Sequence, residues 1–238
     1  MNLLLKENAQ TILLLGASRG LGAEMAGEFA KRGWNVVGTV RGLARTRLHD
    51  LADLHAGQIA IEQLDITRQD QIAALGERLS GQRFDMLFVN AGIAIRDKHD
   101  ASMADISPDE FTEVFLTNAL GVMHAVEHLQ SLVRPDGLIG VMSSGQGSLA
   151  NNTNGVNDLY RSSKAALNQL IKSYAARHAG DQRSLVLMAP GWIRTDLGGP
   201  TAPFGMEEAI PEIVNVLLAQ QGMPGLRFVD RAGKLVPW

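Results

Sequence analysis

Apolar positions in this chain follow two patterns in alternation. Short runs of consecutive apolar residues read as buried strands. Longer stretches in which apolar residues recur every three or four positions read as helices with one packed face. Thr11–Leu15, Asn35–Val40, Ile59–Leu64, Phe84–Val89, Leu138–Met142 and Leu185–Met188 are predicted strands, and Leu226–Val229 is predicted to close the sheet at one edge. Gly20–Lys31, Gln69–Leu79, Pro108–Val133, Tyr160–His178 and Glu207–Gln220 are predicted helices. Ser107 and Pro108 suit the start of the long one, with serine at the N-cap and proline at the first helical position.

Strands that are apolar throughout, each followed by a helix, predict an α/β fold with a mostly parallel sheet of about seven strands and helices on both faces. No repeat, linker or composition break divides the chain, so residues 1–238 are expected to form a single doubly wound domain. Gly145–Asn157 and Thr195–Gly205 are rich in small and polar residues and follow strands. They are expected at the carboxyl edge of the sheet, where open α/β sheets bind ligands. The second, at about residues 195–205, is a candidate substrate lid, with Trp192, Leu197 and Phe204 as an apolar wall; a plain surface loop is the alternative.

The chain has 238 residues, 45% of them hydrophobic, which suffices for one sizeable core. Its formal net charge of −3 is scattered, so neither nucleic acid nor a membrane surface is an expected partner. Cysteine is absent, which excludes disulfides, thiol catalysis and thiolate metal sites and suits a cytoplasmic location. The apolar start Met1–Leu5 stops at Lys6 and Glu7, too short for a signal peptide or a membrane span.

Gly16-Ala17-Ser18-Arg19-Gly20-Leu21-Gly22 lies between the first strand and the first helix. Its glycines allow a tight turn and close backbone approach to a phosphate, and the helix start offers free N–H groups and a positive dipole end. In the first strand–helix–strand unit, this is the setting of a Rossmann-type dinucleotide site. An acid at the end of the second strand would favour NAD. Val40 stands there instead, followed by Arg41, and Arg19 sits in the loop. Two guanidiniums suit a 2′-phosphate, so NADP(H) is the expected cofactor. The alternative is that Arg41, Arg45 and Arg47 form only a solvated basic face.

Tyr160 and Lys164 are four residues apart on a predicted helix and so share a face. An ammonium beside a phenol favours phenolate, which is expected to lower the tyrosine from its ordinary value of about 10. Such a phenol can exchange a proton with a substrate oxygen.

Taken in order, Gly16-x3-Gly20-x-Gly22, Leu64-Asp65-Ile66, Asn90-Ala91-Gly92, Asn118, Ser143-Ser144, Tyr160-x3-Lys164 and Pro190-Gly191 resemble the short-chain dehydrogenase/reductase family over nearly the whole chain. The resemblance implies that Asp65 and Ile66 contact adenine, that Asn90, Ala91 and Gly92 support the cofactor, and that Pro190, Gly191, Ile193 and Thr195 border the nicotinamide. Gly16, Ser18, Arg19, Gly20, Leu21, Gly22 and Arg41 complete the expected cofactor set. Asn118, Ser144, Tyr160 and Lys164 are the expected catalytic set. Tyr160 would exchange the proton, Ser144 would hydrogen-bond the oxygen, Lys164 would also bind the nicotinamide ribose, and Asn118 would hold a water beside Lys164. The substrate would be a small carbonyl or alcohol, and a homo-oligomer is open.

Two departures stand out. The family's usual threonine before the first glycine is Leu15 here, which removes a local hydrogen bond. Ser144 precedes Tyr160 by three residues more than is usual, with Ser148 nearer the usual spacing. Ser144 is preferred because a strand end holds a hydroxyl more rigidly, and Ser143 should then point to the other side. Gly147-Ser148-Leu149, the run from Pro190 to Gly199 and the ending Val229–Trp238 are similar to the C-factor and sniffer-like carbonyl reductases.

Two rivals remain. His124-Ala125-Val126-Glu127-His128 has the spacing of a zinc peptidase motif, but no third ligand is evident and no metal is expected. The same fold could also serve as a non-catalytic NADP(H) sensor or interaction protein.

Overall fold

The computed structural model describes residue 6, residues 8–95 and residues 101–238; the apolar start Met1–Leu5 lies outside them. The strands are β1 (Thr11–Leu15), β2 (Asn35–Val40), β3 (Ile59–Gln63), β4 (Phe84–Val89), β5 (Val133–Met142), β6 (Ser184–Ala189) and β7 (Gly225–Asp230). They form one seven-stranded sheet in the order β3-β2-β1-β4-β5-β6-β7. Every pairing is parallel.

Successive side chains of a strand serve opposite faces. Ile12 and Leu14 of β1 enter one core with Met25, Phe29, Ile213 and Leu217, from helices α1 (Gly20–Lys31) and α7 (Met206–Gln220). Leu13 and Leu15 enter the other with Ile72 of α3 (Gln69–Arg78), Val126 of α5 (Gly121–Leu129) and Leu167 of α6 (Asp158–Arg177). Covering both faces is what lets the strands be apolar throughout, and each fully buried leucine or phenylalanine contributes about 1.5–3 kcal/mol.

The sequence pattern is corrected in three places. The predicted helix Pro108–Val133 is not continuous: α4 (Pro108–Phe115) passes into a π-helical turn, Leu116–Leu120, before α5. Apolar spacing does not register the irregular turn. Just after it the helix runs against backbone: a Cβ on Gly121 would lie 2.6 Å from the carbonyl oxygen of Ile66. A 3₁₀ turn, Gln130–Leu132, then ends the segment, and Val133 already opens β5, opposite Phe84. The strand starts before the predicted Leu138 because Arg134-Pro135-Asp136-Gly137, which looks like a turn, is carried within it. Third, α2 (Arg47–Leu54) was not predicted. Thr46 starts it, its amide donating to His49 Nδ1 at 3.1 Å, and buried Leu48 and Leu51 anchor it.

Candidate active site

The carboxyl ends of β1, β2, β4, β5 and β6 bring Gly16, Arg41, Asn90, Ser144 and Pro190 to one edge of the sheet. Gly16 adopts φ +84°, and a Cβ there would stand 2.8 Å from the Ala91 backbone. A Cβ on Gly22 would meet the Gly16 carbonyl oxygen and lie 2.6 Å from Asn90 Nδ2. Both positions therefore require glycine. Gly20, at φ +56°, opens α1, whose first turn carries no acidic side chain, leaving its positive end uncompensated. Ser18 and Leu21 are partly exposed at this turn.

Leu15 has no hydroxyl with which to brace the loop. Its side chain is fully buried in the core. The loop is tied instead by Thr39, whose Oγ1 accepts from the Gly16 amide at 2.9 Å and whose carbonyl accepts from Ala17 N at 2.8 Å. Asn90 Nδ2 donates to the Gly16 carbonyl at 2.8 Å, and the amides of Asn90 and Ala91 both donate to the Leu15 carbonyl.

Val40, where an acid would mark NAD, is 5% exposed and belongs to the core. Arg45 is held by Asp50 and Asp53, and Arg47 by Glu24. Exposed Arg41 has no carboxylate partner among the described residues, so the three arginines are not one equivalent basic face. Arg19 lies 3.7 Å from Asp196 of the 195–205 loop, both largely exposed. Asp65 caps a turn, its Oδ1 accepting from the Thr67 amide and hydroxyl. Ile66 is buried beside it.

The Ser144 side chain lies close enough to the Tyr160 hydroxyl to favour its ionised form. Ser144 Oγ also accepts from the Gln146 amide at 3.1 Å. Ser148, the spacing alternative, is 1% exposed, its Oγ accepting from the Asn151 amide. The Ser143 hydroxyl donates to Asn168 of α6.

Lys164 is 2% exposed; its Nζ donates to the Met142 carbonyl at 2.9 Å and stands 5.8 Å from the Tyr160 ring centroid. The expected lowering of the phenol is overturned. Burial pushes Tyr160 up to about 12, and the Ser144 side chain opposes this only in part. Tyr160 as a whole residue is partly exposed. Burial also brings Lys164 down to about 8. Desolvation thus outweighs the charge–phenol attraction at this separation.

Asn118 occupies the π-helical turn and is fully buried. Its Nδ2 donates to the Ile93 carbonyl and to Ser163 Oγ, and its Oδ1 accepts from the Ile93 amide. Both amide hydrogens are committed, so its side chain ties the loop after β4 to α6 rather than donating to a water. A Cβ on Gly92 would sit 3.2 Å from Lys164 Nζ and 3.3 Å from Asn118 Oδ1. Ile95, Ile106, Val114 and Leu159 wall a small pocket against Tyr160, with Asn157 as its polar member.

Pro190 and Ile193 are buried, and Gly191 turns at φ +88°. Thr195 holds the loop it begins: its Oγ1 accepts from Gly198 N at 2.9 Å and its carbonyl from Gly199 N at 2.8 Å. Trp192 Nε1 donates to the Gly198 carbonyl at 2.6 Å. Phe204 does not join an apolar wall; it packs on the core under the Arg231 guanidinium, 3.5 Å from its ring centroid. Among the described residues, no group of three His, Cys, Asp or Glu could hold a metal ion, and His128 Nδ1 faces the His124 carbonyl at 2.8 Å. Nor is any described helix long and apolar enough to cross a membrane.

Sequence reasoning missed Thr39 and Asn168. Asn168 was open to detection, being four residues past Lys164 on the same helical face. Thr39 carried no signal.

The family model for short chain dehydrogenases matches residues 10–203. A Burkholderia multivorans protein assigned to the short-chain dehydrogenases/reductases, solved with bound NADP, is 54% identical with a TM-score of 0.95, over 97% of this chain and 100% of that one. A carbonyl reductase from Pseudomonas aeruginosa PAO1, in complex with NADP, is 34% identical with a TM-score of 0.89, over 97% and 100% of the two chains. The 1-hydroxy-2-glutathionyl-2-methyl-3-butene dehydrogenase of Rhodococcus sp. (strain AD45) is 31% identical over 190 residues, 79% of each chain. With the matched segment running from β1 past β6, and with the glycine turn and the serine–tyrosine–lysine cluster both inside it, the chain belongs to the short-chain dehydrogenase family.

Proposed function

We propose that the protein transfers hydride between NADP(H) and a carbonyl/alcohol pair, with Tyr160 exchanging the proton. The observation that carries this reading is Tyr160 lining a small pocket with the Nζ of buried Lys164 5.8 Å from its ring centroid.

The cofactor is NADP(H). The glycine turn fits it, since Gly16 and Gly22 leave no space for a Cβ and the start of α1 is uncompensated. This turn would take the pyrophosphate. Arg41, with no carboxylate partner among the described residues, and Arg19 would take the 2′-phosphate. Asp65 and Ile66 would meet the adenine; Asn90, Ala91 and Gly92 would back the site; Pro190, Gly191, Ile193 and Thr195 would border the nicotinamide. When bound, the cofactor supplies or accepts the hydride.

In reduction, Tyr160 Oη gives its proton to the carbonyl oxygen; in oxidation it takes one from the alcohol. With its pKa raised to about 12 by burial, the phenol carries its proton at neutral pH. Ser144 Oγ donates a hydrogen bond to the same oxygen as charge gathers on it, an interaction strongest in the transition state. Lys164 would reach the ribose while bonded to Met142, and Asn118 fixes Ile93 and Ser163 around it.

The experiment is NADPH oxidation by a panel of aldehydes, ketones and quinones. Tyr160→Phe is expected to lose about 10²–10⁴-fold in rate while NADPH still binds. Unchanged reduction by that variant would remove Tyr160 from the mechanism.

A further inference from the structure

Three side chains spaced four residues apart along one face of α6 hold the segment that carries Ser144. The first is Lys164, bonded to the Met142 carbonyl at the end of β5. The second, Asn168, is 3% exposed; it accepts from Ser143 Oγ at 2.5 Å and donates to the Gly147 carbonyl at 3.1 Å. Gly147 presses directly on this face, since a Cβ there would lie 2.9 Å from Asn168 Nδ2. The third is Lys172, whose Nζ sits 4.8 Å from the centroid of the Trp238 ring. That ring also packs on Phe228 of β7, 5.6 Å between centroids, and the Trp238 carbonyl oxygen accepts from the Ala150 amide at 3.0 Å.

A turn after β7 delivers Trp238 to this place. Asp230 Oδ1 accepts from the amides of Ala232 and Lys234, each at 2.9 Å, and Gly233 reverses the chain at φ +78°. Leu235 then bridges Val229 antiparallel, and the Val236 amide donates to the Phe228 carbonyl at 2.8 Å.

We infer that Asn168 and Trp238 are positioning residues that clamp residues 143–150 onto α6 and thereby hold the Ser144 hydroxyl against Tyr160. The inference rests on the reading of Ser144 as the donor to the reacting oxygen. Between the two clamps the segment is rich in glycine and serine, with little preference of its own for one conformation. A displacement of about 1 Å in a reacting group can lower a rate roughly 10²-fold.

The test is a double-mutant cycle with Ser144→Ala, supported by hydrogen exchange. Asn168→Leu keeps the branched outline and loses both bonds; Trp238→Ala removes the outer anchor. Each is expected to lower kcat by about 10–10²-fold while the KM for NADPH stays within about two-fold. In the Ser144→Ala background each should cost less than about three-fold, because the hydroxyl they act through is gone. The Ala150 amide in Trp238→Ala, and the Gly147 amide in Asn168→Leu, should exchange at least about ten-fold faster. Equal losses in both backgrounds, or unchanged exchange at both amides, would overturn the clamp. Exchange needs no turnover, so a wild-type protein inert to every carbonyl would sink the proposed reaction and still leave the clamp to be decided. Should Asn168→Leu fail to fold, Trp238→Ala carries the same cycle, its side chain being 41% exposed.

Discussion

The hydroxyl oxygen of Thr39 accepts the amide proton of Gly16 across 2.9 Å, joining β2 to the first residue of the glycine turn. Thr39 is 1% exposed, so water cannot replace the bond. Thr39→Val keeps the shape and leaves the Gly16 N–H unpaired, at a cost of about 1–3 kcal/mol. The expected result is a lower denaturation midpoint and weaker NADPH binding, with Thr39→Ser restoring most of both. Fluorescence titration with NADPH checks this, and equal affinity in Thr39→Val would show that the turn needs no such tie.

Arg41 is expected to set the choice between dinucleotides. Charge-assisted hydrogen bonds contribute about 1.5–3 kcal/mol, or roughly 10–10²-fold. Arg41→Ala should lower kcat/KM with NADPH by that factor and leave NADH turnover nearly unchanged. Arg45→Ala serves as the control, because Arg45 is already engaged by Asp50 and Asp53. A similar loss with both nucleotides would assign Arg41 to general stability.

The acid–base behaviour of the free protein follows from burial. Lys164, brought down to about 8, is an ammonium below that pH and neutral above it, whereas Tyr160 keeps its proton up to about 12. The kcat/KM for carbonyl reduction should therefore be level near pH 7 and fall above about pH 8. The same lysine binds its proton less tightly folded than unfolded, so its unfavourable contribution to stability is full below about pH 8 and relieved as the pH rises toward 10.5. Wild type should gain stability relative to Lys164→Met across that window. A rate profile flat to pH 10 would separate Lys164 from catalysis.

Gly121 tests how tightly α5 is held against Ile66. A Cβ at 2.6 Å from the Ile66 carbonyl oxygen meets backbone, which cannot swing aside. Despite the better helix propensity of alanine, Gly121→Ala should lose about 1–3 kcal/mol by overpacking. Urea denaturation measures it; a gain in stability would mean that α5 can slide.

The fold was legible because a sheet covered on both faces writes itself as alternating apolar runs and periodic stretches. The candidate site was legible where a residue type is locally compelled, as at Gly16, Gly22 and the Tyr160–Lys164 pair. What escaped was set by contacts distant in sequence. Thr39 acts on a turn 23 residues earlier, Asn118 of the π-helical turn bonds Ile93, and Gly121 after it abuts Ile66. The reversed shift of Tyr160 escaped for a related reason: spacing gives proximity to an ammonium, whereas the balance is struck by how much water the fold removes.

An outermost parallel strand offers a row of free amides and carbonyls to any passing chain. On the β7 side, residues 234–236 double back and occupy part of that row, through the Val229–Leu235 bridge and the bonds Lys234 and Val236 make to Asp230 and Phe228. The polypeptide thus blunts its own adhesive margin, and a lesion in this return is expected to appear first as clumping of otherwise intact molecules.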